Sequence, residues 1–162
     1  MIIHNFYKAK KLSYDSSHKR KYSDITTIVI HNTGNVGDTA QENAKFFATG
    51  NTREAGAHFF VDREGKIYKS ISINHTAWAV GQETMNRLSV SIELCDIYSN
   101  YPSTKQVNAT RKLIRYIKKV CKNEHMFLIR HYDVTRKDCP HIMTNESQQF
   151  KLNWEKFKKE VL

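Results

Sequence analysis

No apolar run in the sequence approaches the roughly 20 residues needed to span a bilayer, which excludes a membrane-crossing helix. The start, Met1-Ile-Ile-His-Asn-Phe-Tyr-Lys8, lacks the basic-then-apolar order of a secretory signal. Synthesis in a cytoplasm, followed by release or by export through another factor, is therefore expected. There are only three cysteines, Cys95, Cys121 and Cys139. An odd number without an export signal argues against a disulfide framework. Cys95 and Cys121 sit among apolar neighbours and read as plain buried thiols, whereas Cys139 lies between Asp138 and Pro140. Internal repeats, Gly/Ser linkers and low-complexity stretches are all missing, so residues 1–162 read as one domain.

What is present fits an ordinary globular chain. At 162 residues it can bury a real core, and 40% hydrophobic with 26% charged residues is a usual balance. Net charge is +10 with a pI near 9.5, which favours a polyanionic partner. Nucleic acid, an anionic membrane surface and an anionic wall polymer are all compatible with charge alone. Residues 1–24 carry Lys8, Lys10, Lys11, His18, Lys19, Arg20 and Lys21 and are expected to form an irregular basic arm on the surface.

Strand and helix patterns then alternate. Ile25 to His31 is a β-branched run that reads as a buried strand, followed by the turn-rich Asn32-Thr-Gly-Asn-Val-Gly37. Thr39 to Thr49 reads as a helix opened by a Thr39/Glu42 capping box and closed by Gly50. Ala57 to Val61 and Lys66 to Ile71 flank the turn Asp62-Arg-Glu-Gly65 and predict a hairpin. Ser72 to Arg87 reads as a long irregular loop rich in His, Trp and Gly, the kind that carries function. Leu88 to Leu94 alternates, so Ser89, Ser91 and Glu93 share a face opposite Val90 and Ile92. Ser103 to Lys122 is an amphipathic helix whose Lys and Arg residues form its outer face. Phe127 to His131 is a strand, and Asn145 to Val161 contains a last helix with Phe150, Leu152, Trp154, Phe157 and Val161 inward. The class implied is α/β with a central sheet.

Candidate chemistry gathers in two places. His31 and His131 both end apolar strands, a common location for site residues in open α/β sheets. Arg130-His-Tyr-Asp-Val-Thr-Arg-Lys-Asp-Cys-Pro140 adds Lys137 and Cys139. Two imidazoles and a thiolate suit tetrahedral zinc, and three protein ligands leave the open fourth position of a catalytic site. Of the other histidines, His4, His18, His125 and His141 read as surface residues and His58 as a core imidazole. His75, in the loop with Trp78, is a further ligand candidate that reads better as a substrate contact.

Five segments occur in order: Ile-Val-Ile-His31-Asn-Thr-Gly, Ala-Gly-Ala57-His58-Phe-Phe-Val-Asp, His75-Thr-Ala-Trp78-Ala-Val-Gly, Ser-Ile92-Glu93-Leu and His131-Tyr-Asp-Val-Thr-Arg-Lys137-Asp-Cys139-Pro. Together they resemble the zinc-dependent N-acetylmuramoyl-L-alanine amidases of the type-2 family, from about Ile25 to the C-terminus. That family includes phage endolysins, bacterial autolysins and catalytic peptidoglycan-recognition proteins. Among these the chain most resembles endolysin-type catalytic domains of Gram-positive hosts. The resemblance implies a mixed sheet packed by helices with a zinc groove over the strand ends. It maps His31, His131 and Cys139 onto the zinc ligands, Lys137 onto a transition-state-stabilising lysine, and Glu93 onto a catalytic glutamate of one branch. His75, Trp78 and Asn32 become the expected substrate contacts. The match departs at Ala57, where many relatives carry a catalytic tyrosine, and that departure moves weight onto Glu93.

The implied function is hydrolysis of the amide between N-acetylmuramic acid and L-alanine in peptidoglycan, by a monomer with one zinc ion acting on the wall. A non-catalytic peptidoglycan-binding module is the alternative, and the presence of Cys139 favours the enzyme. A nucleic-acid binder, suggested by charge alone, lacks basic residues interleaved with stacking aromatics, so no nucleic-acid partner is expected. The +10 charge is read instead as attraction to anionic wall polymers.

Overall fold

A computed structural model describes all 162 residues. Six strands form one mixed sheet in the order β1-β4-β3-β5-β2-β6. They are β1 Ile3–His4, β2 Thr27–Asn32, β3 Phe59–Val61, β4 Ile67–Lys69, β5 Ser89–Leu94 and β6 Phe127–Arg130. Only the β3–β4 hairpin is antiparallel. Helices α1 Ala40–Thr49, α2 Glu83–Leu88, α3 Thr104–Cys121, α4 His131–Thr135 and α5 Gln148–Val161, with short 3-10 turns at Lys11–Ser13, Tyr22–Asp24 and His141–Met143, complete the chain.

Strand β2 lies between β5 and β6, parallel to both, which explains its unbroken Thr27-Ile-Val-Ile30 run: both faces are covered. Ile28 and Ile30 point into the main core with Val90, Ile92 and Leu94 of β5 and Leu113, Ile117 and Phe157 from α3 and α5. Val29 and His31 therefore point to the opposite face, over which α1 lays Ala40 and Ala44 against Phe60 and Tyr68. Leu113 is fully buried, and its truncation to Ala would cost about 3 kcal/mol. The capping box of α1 forms as its sequence predicts: the Glu42 N–H donates to Thr39 Oγ1 at 3.2 Å and the Thr39 N–H donates to Glu42 Oε2 at 2.9 Å.

Three expectations change. The N-terminal arm lies on the surface but is not irregular throughout. Ile3–His4 adds a parallel edge strand to β4, and Ala9 and Ser13 are buried. Its lysines hid this, because the packing residues between them are few and small. The Ser72–Arg87 segment is not irregular throughout: Gln82 accepts from Met85 N–H and starts α2, which also takes Leu88 out of the strand. Leu152 is 53% exposed, because α5 turns its inward stripe to Trp154, Phe157 and Val161 instead. The alternation of β5 is correct, and the face with Ser89 and Ser91 is buried as well.

Candidate metal centre and groove

The register of the sheet assembles the site. His31 on β2 pairs with Glu93 on β5, and Glu93 pairs with Phe60 on β3. Residues in register across neighbouring strands share a face, so these three side chains stand in a row under α1. Strand β6 ends at Arg130, and His131 opens α4. Asp133 holds that corner, accepting from the Arg130 N–H at 2.8 Å and from its Nε at 3.0 Å. The Arg130 guanidinium lies over Trp154 and donates to Met143 O at 2.6 Å, tying the strand end to the segment beyond Cys139. The Tyr132 N–H donates to Cys139 O at 2.8 Å and brings the thiol home.

The donor atoms of His31, His131 and Cys139 all lie within 4.8 Å of one another, and all three residues are buried. The two Nδ1 atoms are 3.1 Å apart. His131 Nε2 is 2.9 Å from Val80 O, which can only accept, so that nitrogen carries the proton and Nδ1 presents its lone pair inward. His31 Nε2 is engaged by Ser91 Oγ at 3.2 Å. Two nitrogens on one tetrahedral zinc stand about 3.3 Å apart for bonds near 2.05 Å, so the observed pair needs almost no adjustment. Fixing the outer imidazole nitrogen is how proteins orient metal-binding histidines.

Electrostatics keeps the donors neutral until a cation arrives. Burial, then the charges of His131 and Lys137, hold His31 well below its usual pKa. Burial and Lys137 bring His131 to about 4. Burial, with Glu93 adding to it, pushes the Cys139 thiol up to about 12, against the Asn32 N–H directed at Sγ from 3.4 Å. A cation at the three donors would reverse that push and favour the thiolate.

Beside the donors runs a groove of about 720 Å³, lined by Asn32, Phe46, Phe47, Arg53, Trp78, Glu93 and Lys137 among others. Glu93 Oε2 is buried with no hydrogen-bond partner. Burial raises its pKa to about 7, Lys137 pulls it down and Asp38 pushes it further up. Lys137 is exposed and follows Arg136, whose left-handed φ of 62° closes α4. Asn32 lines the groove, and its side chain accepts from the His141 N–H at 3.2 Å. Trp78 reaches the groove and His75 does not. His75 lines a separate pocket with Lys8, Tyr14 and Lys69, and its Nδ1 donates to Asp15 O at 2.9 Å. Ala57 is buried beneath α1, in the cluster with Ala40 and Phe60.

Sequence reasoning missed the scaffold behind His31. His58 Nδ1 accepts from the Ser91 N–H at 3.0 Å, and its Nε2 donates to His75 O at 3.0 Å. Burial first, and Arg20 second, lower the His58 pKa to about 3, so the ring stays neutral. Arg20, expected on a basic surface arm, sends its guanidinium inward to Ile73 O at 2.9 Å, Asn86 O at 3.0 Å and Arg87 O at 2.7 Å. It thereby anchors the Ser72–Leu88 segment that supplies Val80 O to His131. Phe46 and Arg53 were missed as groove residues. The signal for Phe46 was a second phenylalanine beside the apolar stripe of α1.

Comparison with known proteins agrees with this geometry. A family model described as N-acetylmuramoyl-L-alanine amidase matches residues 21–142. The chain is similar to the N-acetylmuramoyl-L-alanine amidase CwlL of Bacillus licheniformis, 24% identical over 161 residues that cover 91% of this chain and 44% of that protein. Among solved structures it resembles PlyL, with a TM-score of 0.78 and 24% identity over 99% of this chain and 97% of that one. The catalytic domain of XlyA gives a TM-score of 0.78 and 22% identity over 100% of both chains. At such identities the structural likeness speaks for the fold. The chain spans 40–44% of the length of the curated relatives it matches.

Proposed function

Because the chain belongs to the N-acetylmuramoyl-L-alanine amidase family, we propose that it hydrolyses the amide joining the lactyl group of N-acetylmuramic acid to L-alanine in peptidoglycan, using one zinc ion. The observation that carries this reading is the meeting of His31, His131 and Cys139 beside a groove holding Glu93 and Lys137. Zinc held by those three donors supplies a Lewis acid and lowers the pKa of the attacking water.

The remaining steps belong to the protein. Glu93 takes the proton of the attacking water and passes it to the leaving nitrogen of L-alanine, so a C–O bond forms, the C–N bond breaks and the amine leaves neutral. Its partnerless oxygen and raised pKa suit a base that must also act as an acid near neutral pH. The Lys137 ammonium stabilises the negative charge growing on the amide oxygen, an effect of roughly 3–4 kcal/mol for a well-placed donor. Trp78 offers an apolar platform and Asn32 a polar contact for the substrate. Ala57 has no proton to give and is sealed from the groove, which leaves Glu93 as the proton carrier.

In this reading the chain works as a monomer, since all five site residues come from one chain, and it reaches the wall after release or export. Keeping Cys139 beside both histidines favours hydrolysis over a binding-only recognition module. Digestion of purified peptidoglycan tests the proposal. New free L-alanine amino groups without new reducing sugars are expected. New reducing ends would indicate a glycosidase, and binding with neither product would indicate a recognition module.

A further inference from the structure

The positive charge is not spread evenly. Residues 1–24 hold six Lys and Arg against two Asp, and residues 104–122 hold seven Lys and Arg with no Asp or Glu, leaving the remaining chain close to neutral. The second group is α3 with its cap residues. Its exposed Lys112, Arg115, Lys119 and Lys122 follow three- and four-residue steps, which places them within about 80° of one helix face along about 15 Å. Neither a salt bridge nor a side-chain hydrogen bond engages any of the four, whereas Lys105 at the start of the stripe is paired with Glu64 at 2.6 Å.

Ordinary helix electrostatics explains part of this. Lys119 in the last turn and Lys122 at the cap complement the helix dipole. Lys112 and Arg115 stand mid-helix, where like charges three and four residues apart cost a few tenths of a kcal/mol per pair. Helix α5 handles the same problem differently: Glu155 lies 3.3 Å from Lys158, and Glu160 lies 4.0 Å from Lys156. The face of α3 is thus left with a row of uncompensated cations. That row is on the opposite side of the sheet from His31 and Glu93, so it can be occupied while the groove works.

We propose that this face of α3 binds a flexible phosphodiester polyanion of the bacterial wall. The choice of partner rests on the amidase reading, which puts such polymers next to the substrate. The surface itself favours a polymer without bases. The stripe offers no stacking aromatic, because Tyr116 is half-buried against the core. A single convex helix also presents charge without a groove to fix a duplex.

Calorimetric binding of a soluble glycerol-phosphate oligomer, measured against salt, tests the proposal. Four phosphate contacts predict a contribution of about −3 to the slope of log affinity against log salt, or a loss of about 50-fold between 50 and 200 mM. The variant K112Q/R115Q/K119Q/K122Q should lose that contribution and should be retained less by intact walls than the parent. It should hydrolyse a soluble muramyl-peptide free of polymer at the parental rate. K112Q and R115Q made singly should each lower the slope by about 0.7, which keeps the test valid if the fourfold variant folds poorly. Unchanged oligomer binding by these variants overturns the surface. Equal affinity for a single-stranded nucleic-acid oligomer of the same charge overturns the choice of partner. Polymer binding without amide cleavage leaves the surface standing and overturns the amidase reading alone.

Discussion

Replacing Glu93 with Gln keeps the size and shape of the side chain and removes its basic oxygen. Two consequences follow from the position of this residue in the sheet. The first is kinetic. A carboxylate base works only when ionised, so kcat/KM should climb roughly tenfold per pH unit while Glu93 is protonated and level off once it ionises; burial sets that transition at about 7 in the metal-free chain, and a cation at His31, His131 and Cys139 would draw it lower. Glu93→Gln should lose this climb together with roughly 10²–10⁴ in turnover. The second is thermodynamic, and its sign is opposite. A carboxyl raised from 4.5 to about 7 on folding contributes stability that is complete below the unfolded value and lost as pH rises through the folded one. Above pH 7 the buried charge therefore costs up to about 3 kcal/mol, and the chelated Gln variant should be more stable than the parent by a large part of that. Release of L-alanine amino groups across pH 5–9 and urea unfolding at pH 5 and pH 8 check the two halves. A variant that still cleaves at near the parental rate removes Glu93 from the proton path, whatever its stability.

The other expected outcomes concern different parts of the site. Lys137→Ala should lower turnover by about 10² or more with substrate affinity nearly unchanged; loss of affinity alone would make Lys137 a binding residue. Trp78→Ala should weaken binding to peptidoglycan fragments more than it slows turnover, whereas His75→Ala, outside the groove, should change neither; titration with a muramyl-peptide separates them. Arg20→Ala leaves the carbonyls of Ile73, Asn86 and Arg87 without their donor, so it should cost about 3 kcal/mol in urea unfolding and loosen the Val80 support of His131, seen as weaker zinc retention. An unchanged unfolding midpoint would show that solvent replaces those bonds.

The donor cluster of His31, His131 and Cys139 could be read from the sequence because its histidines lie at the ends of regular elements. The β-branched run before His31 and the alternation through Ser91 to Glu93 fix which face each side chain takes, and the structure places both on one face in register. The Phe127–Arg130 strand delivers His131 as its pattern implied. The failures share a different cause. Arg20 sits among lysines, and composition cannot tell an inward guanidinium from solvated neighbours when its partners are carbonyls some 50–70 residues away. His75 and Trp78 are three residues apart in one irregular segment, and no periodicity says which of them faces the groove. Leu152 follows helical spacing only loosely, and the packing of α5 on α3 decides against it.

The proposed function turns on His31, His131 and Cys139 holding one zinc ion on which amide cleavage depends. Zinc titrated into the chelated, dialysed chain, with L-alanine amino groups counted at each step, tests it most directly. No release is expected at zero zinc, followed by a rise that breaks at one equivalent. Cys139→Ser should need excess metal, because a hydroxyl is a far poorer ligand than a thiolate. Full activity in the metal-free protein, or a Cys139→Ser titration identical to the parent, would contradict it.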